Sequence, residues 1–408
     1  MTNKFNYDSF KEKAIQGILE GKNFSGKDNV LLPMIKDLLE SAMQAELDVH
    51  MNDERAQDDQ SNPNRKNGTT TKTMKCEQGS FELKTPRDRN SSFSPLIVEK
   101  QQTILGDALQ DKIISLYSNG MSYSDIQEHL ESLYNTKISK GKLTEITDRI
   151  LPDLERWKNR QLEPIYSIIW LDALHFSVRE NSMTLKKAVY VILGYDMYGQ
   201  KDVLGMYIGE SESAKFWLRV LEDIQSRGVR DILIACMDNL SGFTQAVEAI
   251  YPKTDVQLCI IHQIRNSMKY VSHKNTSAVI SDLKKIYQAP NIEAASVAMD
   301  EFEDHWNEKY PVVIRSWRNN WLHLTRYFDY SKDIRRIMYT TNTIEGFNRQ
   351  IRKYTKTKGA FANDKALMKL LYTITKSISE KWTGKPAYWG QVQQQLLIKF
   401  EERCGISI

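Results

Sequence analysis

The sequence predicts an α/β protein: a mixed sheet with helices on its faces, an all-helical insertion, and a largely helical region ahead of the sheet. Three observations carry this reading. The apolar period changes from helical to alternating near Pro164; three neighbouring strand-like runs are then followed by helix, strand, helix and strand; and the pattern turns helical again from about His262 to Phe328. At roughly 150 residues per domain, 408 residues leave room for two or three domains. The hydrophobic share of 41% and charged share of 26% exclude a disordered or membrane-embedded composition. No apolar run approaches the length of a transmembrane helix, and the N-terminus lacks the apolar stretch of a secretory signal, which predicts a cytoplasmic protein with no membrane partner. Cys76, Cys236, Cys259 and Cys404 are too scattered for a disulfide framework and read as free thiols.

Taken in order, residues 30 to 51 carry apolar side chains at helical spacing, and the polar stretch after them, with Pro63 and Gly68, reads as a linker. The run TMKCEQGSFELKTPRDRN predicts a hairpin turning about Gly79 and Ser80. Three helices follow between about Leu105 and Leu151. Gly120 stops the first, Ser122 with Asp125 opens the second, and Ser139 caps the third. Their spacing is helix-turn-helix-like, which would present Lys140, Lys142, Thr144 and Arg149 to a DNA major groove.

The strands are predicted in YSIIWLDALHFSVRE, KKAVYVILGYD and KDVLGMYIG, then DILIACMD and DVQLCII, with helices in SAKFWLRVLEDIQSRG and SGFTQAVEAIY. Three antiparallel strands followed by helix, strand, helix, strand is the element order of an RNase H-like core with sheet order 3-2-1-4-5. The predicted division is 1–60, a helical region and linker; 61–160, a DNA-binding region; 161–261, the first part of the core; 262–340, the helical insertion; and 341–408, a core helix with a basic tail.

Three carboxylates stand out. Asp172 lies in a strand among large apolar side chains, where an unpaired charge is costly. Asp238 ends the fourth strand, beside the first in that order, and neighbouring strands lie about 4.8 Å apart, close enough to share a metal ion. The blander readings are a water-facing Asp172 and an N-cap at Asp238, a position that Ser241 fits better. Glu345 fits a capping box with Asn342, yet it also shares a helical face with Arg349, Arg352 and Lys356, to which Lys353 adds charge. Charge distribution agrees: residues 1–60 hold seven Lys and Arg against twelve Asp and Glu, whereas residues 346–408 hold twelve against four. That basic end suits a polyanion. Cys259 and His262 form half a zinc motif, for which only Cys236 and His273 are near enough in sequence to complete the set; a local supporting role or a buried structural pair is the other reading. Trp306, Trp317 and Trp321 read as core, one of them open to stacking on an unpaired base, and His175 points away from Asp172.

These segments, IIWLDALHFSVRE, ACMDNLSGF, QLCIIHQIRNSMKY and TTNTIEGFNRQIRKYTKTKG, together with KTPRDRN upstream, resemble the IS256 family of bacterial insertion-sequence transposases, related to the Mutator group; the likeness spans roughly residues 30–400. The resemblance implies a DDE transposase in which Asp172, Asp238 and Glu345 bind two Mg²⁺ ions, replaceable by Mn²⁺, with Cys259 and His262 in support. It implies double-stranded DNA as partner, both terminal inverted repeats and target, a homodimer acting on two element ends, and a place at the bacterial nucleoid. A DNA-binding regulator with an inactive core, or an RNase H-like nuclease without strand transfer, are the competing readings.

Overall fold

The computed structural model describes residues 7–24, 29–57, 64–134, 136–209, 213–239, 242–339 and 342–404. The chain divides into two compact units, Met1–Arg149 and Ile150–Ile408. Pro63 and Ser241, which the sequence reading used, lie outside the described residues.

The first unit begins with α1 (Tyr7–Leu19) and α2 (Leu32–Gln57). Helix α2 lies on a hairpin of β1 (Lys66–Cys76) and β2 (Gly79–Asp88). Met43 of the helix, Met74 and Leu83 of the hairpin and Val98 beyond it are all buried in one cluster. The predicted linker is therefore shorter than expected, because its last residues are already strand. Gly68 is not a breaker here. It sits at φ +68° where the register slips between Lys66 and Thr69, a bulge that glycine accommodates without a Cβ penalty. The turn falls at Glu77 and Gln78, just ahead of the predicted pair.

The strap after β2 is fixed by Asp88, whose side chain is buried. Its carboxylate accepts from Asn64 Nδ2 at 2.8 Å, Ser92 Oγ at 2.8 Å, Ser92 N at 3.0 Å and Phe93 N at 3.2 Å. Burial opposes ionisation, but these donors outweigh it and hold the Asp88 carboxyl well below the usual carboxylate range. A carboxyl with a depressed folded pKa stabilises above its unfolded value, about 3.9, and that stability is lost as pH falls below it. We expect Asp88→Asn to cost about 2 kcal/mol at neutral pH, the worth of a charged hydrogen bond or two, and to flatten the acid dependence. Urea unfolding followed from pH 7 to pH 3 checks this; an unchanged slope against pH would contradict it.

Helices α3 (Ala108–Ser118), α4 (Tyr123–Tyr134) and α5 (Lys140–Asp148) complete the unit. The predicted caps form: Ser122 N donates to Asp125 Oδ2 at 2.8 Å, Asp125 N to Ser122 Oγ at 3.1 Å, and Lys142 N to Ser139 Oγ at 3.2 Å. Leu109, Ile113, Ile126, Leu130, Leu143 and Ile146 are fully buried between the three helices.

The second unit opens with α6 (Leu151–Lys158), started by Pro152 in its first turn, which the sequence reading did not assign. It continues with β3 (Ile165–Glu180), β4 (Met183–Asp196), β5 (Lys201–Gly209), α7 (Ala214–Ser226), β6 (Asp231–Met237), α8 (Phe243–Ile250) and β7 (Asp255–Leu258). The sheet order is β5-β4-β3-β6-β7, with β3, β4 and β5 antiparallel and β6 and β7 running parallel to β3. This is the strand order predicted from the element sequence. On β5, Met206 meets Thr375 while the next residue, Tyr207, donates to Asp223 of α7. Successive strand residues face opposite sides, so helices cover both faces.

Six helices then run from α9 (Ile260–Met268) through α10 (Thr276–Tyr287), α11 (Ile292–Trp306), α12 (Pro311–Asn319), α13 (Trp321–Thr325) and α14 (Lys332–Tyr339). They dock on the β7 edge through Gln257, which donates to Leu324 O at 3.0 Å and accepts from Tyr327 N at 2.7 Å. Covering an edge strand in this way removes a site for unwanted pairing. Of the three insertion tryptophans, Trp317 is buried and donates to Ser267 Oγ at 3.0 Å, whereas Trp306 and Trp321 are only part-buried. The chain ends with α15 (Asn342–Thr355), α16 (Asp364–Ser379) and α17 (Trp389–Phe400).

Candidate active site

Four segments far apart in sequence build one pocket. After Asp231, strand β6 is apolar and buried, as a central parallel strand requires, and it stops at Met237. Leu171 of β3 pairs with Met237 as the last rung of the parallel ladder, so Asp172 and Asp238 are the next residues on adjacent strands. Asp238 does not cap α8: that helix starts at Phe243 after Gly242. Gly242 holds φ +77°, and a Cβ there would meet Ala214 N at 2.5 Å, so the loop leaving Asp238 needs glycine for both reasons.

The third segment is tied to the second by the backbone. Cys259 N donates to Met237 O at 2.7 Å, and the chain turns into α9 immediately afterwards. The predicted strand DVQLCII is thus cut at Leu258: Cys259 occupies the N-cap position and His262 lies in the first turn of a helix. The fourth segment is α15, which carries Glu345. The chain just past this helix is anchored to β3, since Phe361 N donates to Ser177 O at 2.8 Å and Arg179 N to Phe361 O at 2.8 Å. The Phe176 and Phe361 rings meet edge to face at 5.9 Å.

Asp172, Asp238, Cys259, His262 and Glu345 all line a pocket of about 40 Å³, together with Trp170, Leu258 and Ile344. At about 10–15 Å³ per water molecule, this is room for small ions or water, not for a nucleotide. Burial first, and the neighbouring Asp238 carboxylate second, raise the pKa of Asp172 above the ordinary value. His262 acts the other way on Asp172 but does not offset burial and the neighbouring carboxylate. Asp172 Oδ1 accepts from Ala173 N at 2.8 Å, and Oδ2 accepts from Asn348 Nδ2 at 2.6 Å.

His262 Nδ1 contacts Asp238 Oδ1 as an ion-pair partner. Bonding to Asp238, then to Cys259, pushes His262 up to about 10 while burial acts against it. Arg265 stands 3.3 Å from the other ring nitrogen, so Nδ1 is the nitrogen whose proton faces Asp238. Ligand atoms of Asp238, Cys259 and His262 all fall within 4.8 Å of one another. Among the described residues neither Cys236 nor His273 joins that group, so no four-ligand zinc set forms.

The remaining sequence candidates are placed as follows. Arg349, Arg352, Lys353 and Lys356 are exposed. Helix α15 ends at Thr355, however, so Lys356 belongs to the turn beyond it rather than to the helix; its N–H still reaches Arg352 O at 2.8 Å. The side chain of Asn342, the other half of the predicted capping box, is not described. In the first unit Lys140, Thr144 and Arg149 are exposed, whereas Lys142 is half-buried and paired with Glu145 at 2.6 Å. His175 is exposed, away from the pocket. Asn348 escaped sequence reasoning. Its one signal was a polar residue on the buried stripe of α15 with Ile344, Phe347, Ile351 and Thr355.

A second group, His50, Glu54 and Asp88, has metal-compatible spacing in the first unit. Its oxygens are already occupied by Asn64, Ser92 and backbone donors, so it reads as a polar clamp.

The family profile described as "Transposase, Mutator family" matches residues 8–385. The transposase for insertion sequence element ISRM3 of Rhizobium meliloti (strain 1021) is 39% identical over 399 residues, 97% of this chain and 99% of the relative. The transposase for insertion sequence element IS905 of Lactococcus lactis subsp. lactis (strain IL1403) is 30% identical over 76% of this chain and 79% of its own. The transposase for IS256 in transposon Tn4001 of Staphylococcus aureus is 24% identical over 92% and 95%.

Proposed function

The chain belongs to the Mutator family of transposases, and from that premise we propose that it is a DDE transposase whose acids are Asp172, Asp238 and Glu345. The observation that carries the proposal is that these three side chains, from a strand, a strand end and a distant helix, line one pocket. The strand order and the two helical layers support an RNase H-like core. The reaction proposed is hydrolysis of a phosphodiester at an element end, which frees a 3′-hydroxyl, followed by attack of that hydroxyl on a second phosphodiester.

The residues fit a divalent cation. The donors are carboxylate oxygens, the set that suits magnesium and manganese, and Asp172 is raised by burial and by Asp238, as expected of a site short of positive charge. Asp172, Asp238 and Glu345 would hold two Mg²⁺ ions, with Mn²⁺ as substitute. Bound there, such ions supply Lewis acidity and charge neutralisation for in-line phosphoryl transfer. His262 orients Asp238 from the side, with Cys259 behind it. Arg349, Arg352, Lys353 and Lys356 lie exposed on and just past the helix that carries Glu345, and we assign them to the DNA phosphates.

DNA is the partner this reading requires: terminal inverted repeats for recognition and target DNA for joining. In the first unit the trio α3–α5 would act as the helix-turn-helix-like reader, with Lys140, Lys142, Thr144 and Arg149 towards the groove. Residues 1–60, 61–160, 161–261, 262–340 and 341–408 would then serve as leading helical region, reader, first core part, insertion and closing core segment. Two element ends call for two copies, hence a homodimer. No described helix is long and apolar enough to cross a membrane.

Labelled terminal-repeat DNA incubated with the protein and Mg²⁺ or Mn²⁺ tests the proposal. Cut ends and joined product are expected; cutting without joining would leave a nuclease, and a shifted but uncut band a regulator. Lys140→Ala and Arg149→Ala should each weaken end binding and lower the salt slope by about 1 if a phosphate contact is lost. Lys142→Ala should do less, because Lys142 is already engaged by Glu145. Mobility shifts at several salt concentrations read this directly, and lost activity with unchanged binding would argue against α5 as the reader.

A further inference from the structure

Asn348 is fully buried on α15, three residues after Glu345. Its Nδ2 donates to Asp172 Oδ2 at 2.6 Å, across 176 residues of sequence. Its Oδ1 is also buried and has no hydrogen-bond partner among the described residues. An ionised carboxylate only accepts, so the NH₂ end of the amide must face Asp172 and the carbonyl is turned away from it. An orphaned buried acceptor costs about 1–3 kcal/mol. Leucine, with the same number of side-chain heavy atoms, would avoid that cost at a position whose helical neighbours on the same stripe are Ile344, Phe347 and Ile351. The amide makes sense only through what its donor does.

What it does is complete the hold on Asp172. One oxygen of that carboxylate is fixed by Ala173 N and the other by Asn348, so the carboxylate cannot swing about its side-chain bonds and its remaining lone pairs have one direction. The same bond links the strand carrying Asp172 to the helix carrying Glu345. We propose that Asn348 is a positioning residue: it orients Asp172 for a divalent cation and sets the helix of Glu345 against it. This rests on the reading of Asp172 as a metal ligand.

The test is Mn²⁺ binding to the full-length protein without DNA, followed by the electron paramagnetic resonance of the free ion, with the melting temperature measured in EDTA. Asn348→Leu should weaken Mn²⁺ binding about tenfold or more, as loss of a hydrogen bond to a metal ligand does, while the melting temperature holds or rises. Asn348→Gln, which keeps a donor, should recover part of the affinity. Wild-type Mn²⁺ affinity in the Leu variant would overturn the proposal, whatever its stability; if that variant does not fold, Asn348→Ala replaces it with the same two outcomes. Asp172→Ala separates the two levels. If it binds Mn²⁺ as the wild type does, the metal-ligand reading itself fails; if it loses the ion while Asn348→Leu keeps it, only the role of Asn348 falls.

Discussion

Asp238→Asn is expected to abolish cleavage of element ends, by at least about 10³-fold, and to leave the protein folded and able to bind DNA. The magnitude follows from what a metal-held carboxylate contributes. Charge stabilisation of several kcal/mol is at stake, and each 1.36 kcal/mol is a factor of ten in rate. Asparagine keeps the shape at the end of β6 and removes the negative charge that His262 and a cation would both use. Structural damage should be small because the residue sits past the last rung of the ladder, part-exposed at the pocket rim. Three measurements on one preparation suffice: melting temperature, mobility shift and product formation with Mg²⁺ or Mn²⁺. Turnover within tenfold of wild type would remove Asp238 from the chemistry. Asp172→Asn and Glu345→Gln should behave alike, since the proposal gives the three acids one task.

The second large effect is on stability. Trp217 of α7 is fully buried at the centre of an aromatic cluster, with ring centroids 4.7 Å from Tyr190 of β4, 4.9 Å from Phe216 and 4.8 Å from Phe243 of α8, each edge to face. It is the point where both helices meet the sheet. Truncation to alanine should cost about 3–5 kcal/mol, the range for large aromatic deletions from a core. Trp217→Phe should cost much less than that, because the indole N–H is itself buried without a partner among the described residues and phenylalanine removes that donor while keeping most of the ring contact. Urea unfolding of both variants reads the difference. A loss below about 1 kcal/mol in the alanine variant would mean that the cluster does not hold the helices on the sheet.

Most of the core was legible because its signals are local. Strand runs such as DILIACM and the glycine after SAKFWLRVLEDIQSR report their own periodicity, and element order then constrains the sheet, which puts Asp172 beside Asp238. What failed was local conflict. Gly68 looks like a breaker but serves a bulge, and Cys259-Ile260-Ile261 looks like strand, yet the ladder ends at the bond from Cys259 N to Met237 O and α9 begins at Ile260. Helix α6 is short and has a proline, Pro152, in its first turn, so propensity alone gives it little weight. The bond from Asn348 to Asp172 lies beyond any such reading, because neither residue carries a mark of the other.

The anchoring of the chain on either side of the helices α9–α14 has a consequence for how this architecture tolerates change. The excursion leaves from a residue bonded to the end of β6, and the helix that follows it is fastened to β3 through Phe361. Departure and return are both moored on the sheet, so α10–α12, which do not line the pocket, should tolerate trimming or lengthening, whereas α9 brings His262 and α14 brings Met338 to it. The part most free to diversify is therefore the middle of the excursion, while its two ends belong to the lining of the pocket.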